Sequence, residues 1–398
     1  MTVYDEATAI SGDIAELRHA IHREPEIGLD LPKTQAKVLA ALEGLPLEIS
    51  LGKELSSVTA VLRGGKPGPV VLLRADMDAL PVTETTGLPF ASEIDGAMHA
   101  CGHDLHTSML AGAARLLAAH QRDLAGSVIF MFQPGEEGLG GAKLMIEEGV
   151  LDAAGERPKA AYALHVFSHL TEGGVFAVRP GPALAAADIL YVTVRGRGGH
   201  ASAPQHSADP IPAACEMVTA LQTFVTRRFD VFDPVVITVG SFHAGTVNNV
   251  IPDEAKFEAT LRSFSHESQR RLHHETVRLV ESIGQAHGLT VEAEYLDCYP
   301  VTVNDAAEAE FARSTAADLF GADRAITPAQ PLTGAEDFSY VLEQVPGAFV
   351  NLGACPSGTD PLTAPSNHSA GAAFDDAVIA DGITLYAELA LRRLAEGA

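Results

Sequence analysis

The stretch Val70-Val-Leu-Leu-Arg-Ala-Asp-Met-Asp78 runs from an apolar segment directly into two carboxylates. Its apolar half predicts a buried strand, because short β-rich runs bounded by Gly and Pro are typical of sheets covered on both faces. Strands are predicted at 58–62, 70–73, 127–132, 160–166 and 348–352, and helices at 10–23, 105–120, 141–150, 306–319, 336–344 and from 376. Strands that alternate with helices in this way predict an α/β domain with a mainly parallel sheet covered by helices.

A different order of elements begins near residue 184. Strands are predicted at 188–196, 235–242, 256–264 and 290–297, and helices at 210–228 and 267–287. This β-α-β-β-α-β order is typical of a ferredoxin-like α+β unit, which can be inserted into another domain. We therefore predict a lid domain at residues 184–298 within a discontinuous α/β domain made of residues 1–183 and 299–398.

The composition limits the classes of partner. The 398 residues include 27 Lys and Arg against 52 Asp and Glu, which gives a formal charge of −25. Such a chain repels phosphate backbones and anionic lipids, so neither a nucleic-acid nor a membrane partner is expected. The N-terminus has no basic and apolar leader, and the four cysteines are far apart. These features predict a cytoplasmic protein with reduced thiols.

Residues 99–106, His-Ala-Cys-Gly-His-Asp-Leu-His, carry the most specific chemical signal. Three histidines, a thiol and a carboxylate within eight residues favour a metal site over a structural role. Asp104 can cap the helix that follows. The mixture of soft and hard ligands is compatible with Zn and does not exclude Mn, Co or Ni.

Other polar residues are ambiguous when each is considered alone. Asp76 and Asp78 follow a strand, where acids are also common as caps or turns. The adjacent acids at 136 and 137 end another apolar strand, and two neighbouring carboxylates can divide metal binding and proton transfer between them. His165 stands in an apolar strand, where a histidine is more often a core residue, and His368 by itself indicates nothing.

Several motifs together resemble a known family. Residues 74–81 read Arg-Ala-Asp-Met-Asp-Ala-Leu-Pro, residues 99–104 read His-Ala-Cys-Gly-His-Asp, and residues 134–138 read Pro-Gly-Glu-Glu-Gly. They resemble the two-metal amidohydrolase and peptidase family of aminoacylases, hippurate hydrolases and auxin-conjugate hydrolases. The similarity extends from residues 22–26, His-Arg-Glu-Pro-Glu, to residues 367–369, Asn-His-Ser. It implies hydrolysis of the amide bond of a small N-acyl amino acid by a homodimer or higher homo-oligomer that associates through the lid domain.

The resemblance also implies a role for individual residues. It implies two divalent metal ions per chain, Zn or Mn, with Co or Ni as alternatives. The implied metal ligands are Cys101, His103, Glu137, His165 and His368. Glu136 is implied as the general base and acid, and Asp78 as the residue that supports the metal centre.

The lid contributes a second group of implied residues. His200, which stands among glycines, would polarise the scissile carbonyl from the lid of a dimer partner, although residues 198–202 are equally typical of a plain turn. The residues implied to contact the substrate's carboxylate are Asn249, Arg262 and Gly334.

One departure from the family pattern bears on the substrate. The exopeptidase branches usually carry His at the position of Asp76 and Asp near His103, whereas this chain has the Cys-bearing motif of the amidohydrolase branch. A peptide substrate is therefore less expected, and the bridging metal ligand stays open. The alternatives are a deacetylase or N-carbamoyl hydrolase of the same family, and a catalytically silent binding module. Against the silent module stands Glu136 together with a complete set of implied ligands.

Overall fold

The computed structural model describes residues 1–396, so Gly397 and Ala398 at the end of the predicted α/β domain lie outside the described residues. The chain divides into two compact units. The first comprises Met1–Ala183, Val303–Gln330 and the residues from Asp337 onward, and the second comprises Leu184–Thr302 and Pro331–Glu336. The short segment Pro331–Glu336 belongs to the second unit because the backbone N–H of Ala185 donates to the carbonyls of Leu332 and Gly334 at 3.1 and 3.0 Å.

The first unit is a mixed α/β structure. Its helices are α1 Val3–Arg23, α2 Pro32–Leu42, α3 His103–Ala119, α4 Gly141–Glu147, α7 Ala306–Phe320, α8 Ser339–Leu342 and α9 Ile379–Ala395. Its strands are β1 Leu47–Leu51, β2 Val58–Arg63, β3 Lys66–Asp76, β4 Ala125–Gln133, β5 Ala160–Glu172, β6 Phe176–Ala177, β15 Ala325–Ile326 and β16 Gly347–Cys355. The two chain boundaries between the units fall within β7 Gly181–Leu184 and β14 Thr302–Asn304.

The eight strands of the first unit form one sheet in the order β1-β2-β4-β3-β5-β16-β6-β15. The central strands β4, β3, β5 and β16 are parallel, whereas β1 and β2 are antiparallel to their neighbours. The mainly parallel sheet is therefore confirmed. The carboxyl ends of the four parallel strands meet at one edge, which is where sites in α/β domains usually lie.

Helix α3 is the central helix of the core. Nearly every residue from His103 to Ala118 is buried, and the helix packs against α1 and α9 as well as the sheet. A helix that is covered on all sides brings its polar first turn into the interior. The polar side chains at the start of α3 therefore need hydrogen-bond or charged partners inside the protein.

The sequence-based assignment differs from the structure in several places, among them the short strands β6 and β15, which were not predicted. Helix α2 and strand β1 were not predicted, although Pro32 at the first position of α2 is a typical start signal. The predicted helix at 336–344 is reduced to the four residues of α8. Asp337 instead accepts hydrogen bonds from Arg74, Gln133 and the Ala142 N–H at 2.8–3.0 Å, because a fully buried carboxylate needs such partners.

The second unit contains β8 Ala186–Arg195, β9 Gly199–His200, α5 Pro210–Arg228, β10 Val236–Ala244, β11 Val250–Ile251, β12 Glu254–Ser263, α6 His266–Ala286 and β13 Thr290–Tyr299. Four of these strands form an antiparallel sheet in the order β10-β12-β8-β13, and β9 pairs with β11 in a separate ribbon. Alternate residues of β8 and β12 are buried and form a core with α5 and α6. Across residues 1–396, no helix is both long and apolar enough to span a membrane.

Candidate metal centre

The carboxyl edge of the large sheet gathers polar side chains from four chain segments. Asp76 ends β3, and Glu136 follows β4 after two residues. His165 lies within β5, and His368 lies in the loop after β16. Because all four strands are parallel and point the same way, residues far apart in sequence become neighbours here.

The turn Cys101-Gly102-His103 brings two candidate ligands to the start of α3. Gly102 has a φ of +83°, which favours glycine. A Cβ on Gly102 would also lie 2.4 Å from Val166 and 3.1 Å from the Phe374 ring. Only glycine lets this turn pack so tightly against the sheet. The close packing fixes where Cys101 and His103 are held.

Cys101 belongs to two sets of potential ligand atoms. In the first set, its Sγ, one nitrogen of His103 and one nitrogen of His165 lie within 4.8 Å of one another, with Sγ 3.4 Å from His165 Nε2. In the second set, Sγ is 3.2 Å from His368 Nε2, which in turn is 3.3 Å from Glu137 Oε1. Two triads of donors that share one sulfur could each hold a cation, so this arrangement suits two adjacent cations.

Several of these buried atoms have no hydrogen-bond partner among residues 1–396. Both ring nitrogens of His103 and Oε1 of Glu137 are in this position. His103 Nδ1 is 3.6 Å from Asp78 Oδ1, which is longer than a hydrogen bond. A buried polar atom without a partner is costly, and a divalent cation would satisfy both residues. The donor types, imidazole, thiolate and carboxylate, suit such a cation.

The protonation of the histidines fits the same interpretation. Burial holds the pKa of His165 well below its usual value, and its Nδ1 bonds the Val166 carbonyl at 2.9 Å, so a neutral Nε2 faces Cys101. The Cys101 sulfur and the Glu137 carboxylate, which lie 3.2 and 3.3 Å from Nε2 of His368, raise the pKa of His368 to about 10. A cation at this position would therefore displace a proton from His368. The backbone of His368 has a φ of +69°, a strained value that is often found at functional sites.

Asp78 fixes the loop that carries the two adjacent glutamates. Its Oδ1 accepts the backbone N–H of Glu136 and its Oδ2 accepts that of Glu137, both at 3.0 Å. Glu136 is buried, and its Oε2 lies 4.0 Å from His103 Nε2. The carboxylate of Glu136 is thus held beside the first ligand set.

His106 is the polar residue of the 99–106 motif that the sequence singled out without a role. Its Nδ1 donates to Asp76 Oδ1 at 2.6 Å, and its Nε2 accepts the Val166 N–H at 2.7 Å. The lone pair that could bind a metal is therefore already used, and His106 instead fixes β5 next to His165. The spacing His103-x-x-His106 on one helix face was the signal for this placement.

The candidate residues of the second unit form two separate pairs. In the β9–β11 ribbon His200 pairs with Val250, and the Asn249 carbonyl accepts the Ala201 N–H at 3.1 Å. The Ser202 N–H donates to His200 Nδ1 at 3.1 Å, which leaves the proton on the exposed Nε2. His200 and Asn249 thus lie together on one exposed ribbon.

Arg262 and Gly334 lie at the opposite end of the four-stranded sheet of the second unit. Arg262 pairs with Ala187, and Gly334 bonds to Ala185, near the start of β8. The β9–β11 ribbon adjoins the far end of β12, where Asp253 accepts the backbone N–H of Gly196 and Gly198. At about 3.3 Å per residue, β12 separates the two ends by roughly 26 Å. A small substrate cannot contact both pairs within one chain.

Comparison with known proteins gives the family of this chain. Residues 72–392 match the model of peptidase family M20/M25/M40, and the chain belongs to this family. It is 36% identical to thermostable carboxypeptidase 2 of Saccharolobus solfataricus over 95% of both chains. It is also 34% identical to hippurate hydrolase of Campylobacter jejuni, and the matched region covers 99% of this chain and 100% of the relative.

A solved structure is similar over the whole length. The dinuclear metal-binding peptidase of the M20 family from Bacillus subtilis superposes with a TM-score of 0.83 and 32% sequence identity, covering 98% of this chain and 99% of the other. The resemblance inferred from the motifs is thereby confirmed at the level of the family.

Proposed function

We propose that this protein hydrolyses the amide bond of N-acyl amino acids with the help of two divalent metal ions, and releases a carboxylic acid and a free amino acid. The observation that supports this most strongly is the pair of ligand triads sharing Cys101, with the carboxylate of Glu136 beside them. The similarity to a hippurate hydrolase and to a dinuclear metal-binding peptidase supports metal-dependent amide hydrolysis. A complete constellation of this kind argues against a silent binding module.

The roles of the residues follow from their positions. Cys101, His103 and His165 would hold one cation, and Cys101, Glu137 and His368 the other, with the thiolate as the shared ligand. When bound, two such cations supply Lewis acidity, which acidifies water and polarises a carbonyl oxygen. We propose Zn or Mn, with Co or Ni as alternatives. The thiolate and the imidazoles favour Zn, whereas the carboxylate is the donor type that suits Mn.

Glu136 would perform the proton transfers. Its carboxylate takes a proton from the attacking water and returns that proton to the leaving amine nitrogen, since one group can act in both directions. Asp78 keeps this carboxylate in place through the backbone of residues 136 and 137. His200, with a proton on Nε2, would donate to the carbonyl oxygen as negative charge develops on it.

The separation of the lid pairs supports a site shared between two chains. His200 and Asn249 would act on the substrate of a partner subunit, whereas Arg262 and Gly334 would bind the substrate's carboxylate through a guanidinium fork and a backbone group. Strand β10 lies at the edge of the lid sheet and exposes Val236 and Phe242, which are 45% and 39% accessible. An apolar edge strand of this type is suited to self-association in a homodimer through the lid.

The cellular location is a smaller part of the proposal. Within residues 1–396 none of the four cysteines forms a disulfide, and Cys215 is exposed. Reduced thiols of this kind are typical of the cytoplasm, where we place the protein.

A substrate panel tests the proposed function. Protein reconstituted with Zn or Mn would be given N-benzoylglycine, N-acetyl and N-carbamoyl amino acids and a dipeptide, with and without a chelator. We expect metal-dependent release of amino acid from the N-acyl substrates and the least from the dipeptide. The preference among acetyl, carbamoyl and benzoyl groups separates the alternatives within the family. Preferred cleavage of the dipeptide would make the chain a peptidase, and hydrolysis unaffected by the chelator would contradict the metal-dependent mechanism.

The metal content gives a second, independent test. We expect two ions per chain by elemental analysis after dialysis. Cys101→Ser removes the ligand shared by both triads, so both ions should bind more weakly. If the serine variant kept two tightly bound ions, the shared thiolate would be refuted.

A further inference from the structure

A buried polar cluster lies behind the metal centre and contributes none of its ligand atoms. We call it the Asp104 cluster, and it consists of Arg18, His22, Glu84, His99 and Asp104. The side chains of Arg18 and Asp104 are completely buried, and His22, His99 and Glu84 are nearly so. The hydrolytic mechanism uses none of them, so their burial needs another explanation.

Asp104 is the centre of this cluster. Its Oδ2 accepts two hydrogen bonds from α1, one from Arg18 Nε at 2.8 Å and one from His22 Nδ1 at 2.9 Å. His22 Nε2 continues to Glu84 Oε2 at 3.2 Å. Asp104 is the second residue of α3 and directly follows His103. The first turn of the helix that carries the metal ligands is therefore tied to α1.

Arg18 also holds the opposite side of the same turn. Its Nη1 donates to the Phe374 carbonyl at 2.9 Å and to Asp376. The Phe374 ring packs against Gly102, where an added Cβ would lie 3.1 Å from it. The guanidinium of Arg18 thus connects Asp104, which follows the Cys101–His103 turn, with Phe374, which packs against that turn.

Stability alone does not account for this arrangement. A buried ion pair is often no more stabilising than an apolar replacement of the same size, because removing two charges from water is costly. Here Arg18 Nη2, Asp104 Oδ1 and both nitrogens of His99 also lack hydrogen-bond partners among residues 1–396. A directional role explains the cluster better, since ligand orientation depends on groups outside the ligand set.

We propose that the Asp104 cluster is a positioning device, in which Arg18 and His22 hold Asp104 so that Cys101 and His103 are preset for the metal ions. This inference rests on the proposed metal-dependent function. Asp104 is a positioning residue, because it acts through the backbone of the turn and not on the substrate.

The test compares two ion pairs between the same helices. Asp104→Asn keeps the shape of the side chain and removes its charge. Asp13→Asn is the control, because Asp13 of α1 pairs with Arg115 of α3 at 3.0 Å but on the exposed surface. Metal affinity would be measured by competition with a chelator. We expect Asp104→Asn to weaken metal binding by about 10- to 100-fold, the usual effect of losing such support, and Asp13→Asn to leave it unchanged.

A second measurement does not require metal. Amide hydrogen exchange of residues 99–105 in the metal-free protein should be faster in Asp104→Asn than in the wild type, while exchange elsewhere in the core of the first unit stays similar. Because the substitution leaves Arg18 without its buried counter-charge and lowers the stability, both proteins are compared well below their melting temperatures. If the wild type bound no metal, the proposed function would fail, and hydrogen exchange would still decide the positioning role. Unchanged metal affinity and unchanged exchange in Asp104→Asn would overturn the inference.

A milder variant covers the case in which Asp104→Asn does not fold. His22→Gln retains a donor toward Asp104 but removes the imidazole link to Glu84. It should change metal affinity and exchange in the same direction by a smaller factor. A His22→Gln protein that folds and matches the wild type in both measurements would refute the device.

Discussion

The polar residues at the carboxyl edge of the large sheet differ from those of the lid in how the fold assembles them. Cys101 and His103 come from one turn and His165 from strand β5, yet the three side chains lie within a few ångströms of one another and are buried. Arg262 belongs to the antiparallel sheet of the second unit, whereas His200 lies on the separate β9–β11 ribbon that adjoins the opposite end of that sheet. The first unit therefore builds a complete candidate metal centre by itself, whereas the second supplies two separate pairs of groups.

The strand directions explain this difference. In a parallel sheet all carboxyl ends meet at one edge, so side chains that follow the strands converge. In an antiparallel sheet consecutive strands end on opposite sides, so residues at neighbouring strand ends are separated by the strand length. A shared site across two chains would compensate for this separation. The predictions below test both halves of the comparison.

The largest effect on activity is expected for the substitution of Glu136. Glu136→Gln preserves the shape of the side chain but cannot accept a proton from water, so kcat should fall by about 10² or more, while two metal ions stay bound. The matched control is Glu137→Gln, which should lose metal because Glu137 belongs to the second ligand triad. Measuring kcat and metal content on both variants separates the roles of the two glutamates. A Glu136→Gln enzyme within tenfold of the wild type would contradict the assignment.

Subunit mixing tests the lid half of the comparison. Glu136→Ala and His200→Ala chains, each inactive alone, would be refolded together. If His200 serves the partner, one site of each mixed dimer receives an intact Glu136 and an intact His200. Random pairing then restores roughly a quarter of the wild-type activity.

If His200 serves its own chain, every site of the mixture lacks one essential group. Mass spectrometry of differently labelled chains would establish that the subunits have exchanged. Exchange without recovered activity would refute the shared site.

Arg262 should have a smaller and more selective effect. Arg262→Ala removes a charged hydrogen-bond donor, so KM for N-acyl amino acids should rise by roughly 10-fold or more, whereas KM for an uncharged N-acyl amine should stay nearly constant. Arg262 is half-buried and bonds to Thr260 and the Leu261 carbonyl at 2.7 and 2.9 Å, so a structural role is the competing explanation. An equal rise in KM for both substrates would favour the structural role.

The smallest effect concerns the stability of the first unit. Burial opposes the charging of His22, but Asp104 and Glu84 outweigh it and raise the pKa of His22 from 6.5 to about 9. Because the folded state binds this proton more tightly, the stabilisation is complete below about pH 6.5 and is lost as the pH rises through 9. It amounts to about 3 kcal/mol at most. Denaturant unfolding of the metal-free protein should show this decline between pH 6.5 and 9.

The control for the pH experiment is His22→Gln, in which the contribution of His22 is absent at every pH. The difference in unfolding free energy between wild type and variant should therefore shrink as the pH rises. A difference that is independent of pH would show that folding does not raise the pKa of His22.

The sequence by itself determined the family, the mainly parallel sheet and the identity of the candidate residues. The reason is that strand periodicity and ligand chemistry are local properties, so a run such as residues 70–78 predicts a strand and the acids at its end. The close spacing of the two glutamates at 136 and 137, and of Cys101 and His103, is enough to predict metal binding and proton transfer. The sequence also indicated that Asp104 lies at the start of a helix, although it suggested a cap instead of a partner for Arg18.

Only the tertiary structure decided which of these residues meet. It brings Cys101 between His165 and His368, gives His106 a supporting role, and joins Arg18 to Asp104 across 86 positions of sequence. It also separates Arg262 from His200 within the lid. Such relations depend on strand order and helix packing, which combine segments that are distant along the chain, and no local pattern of residues records them.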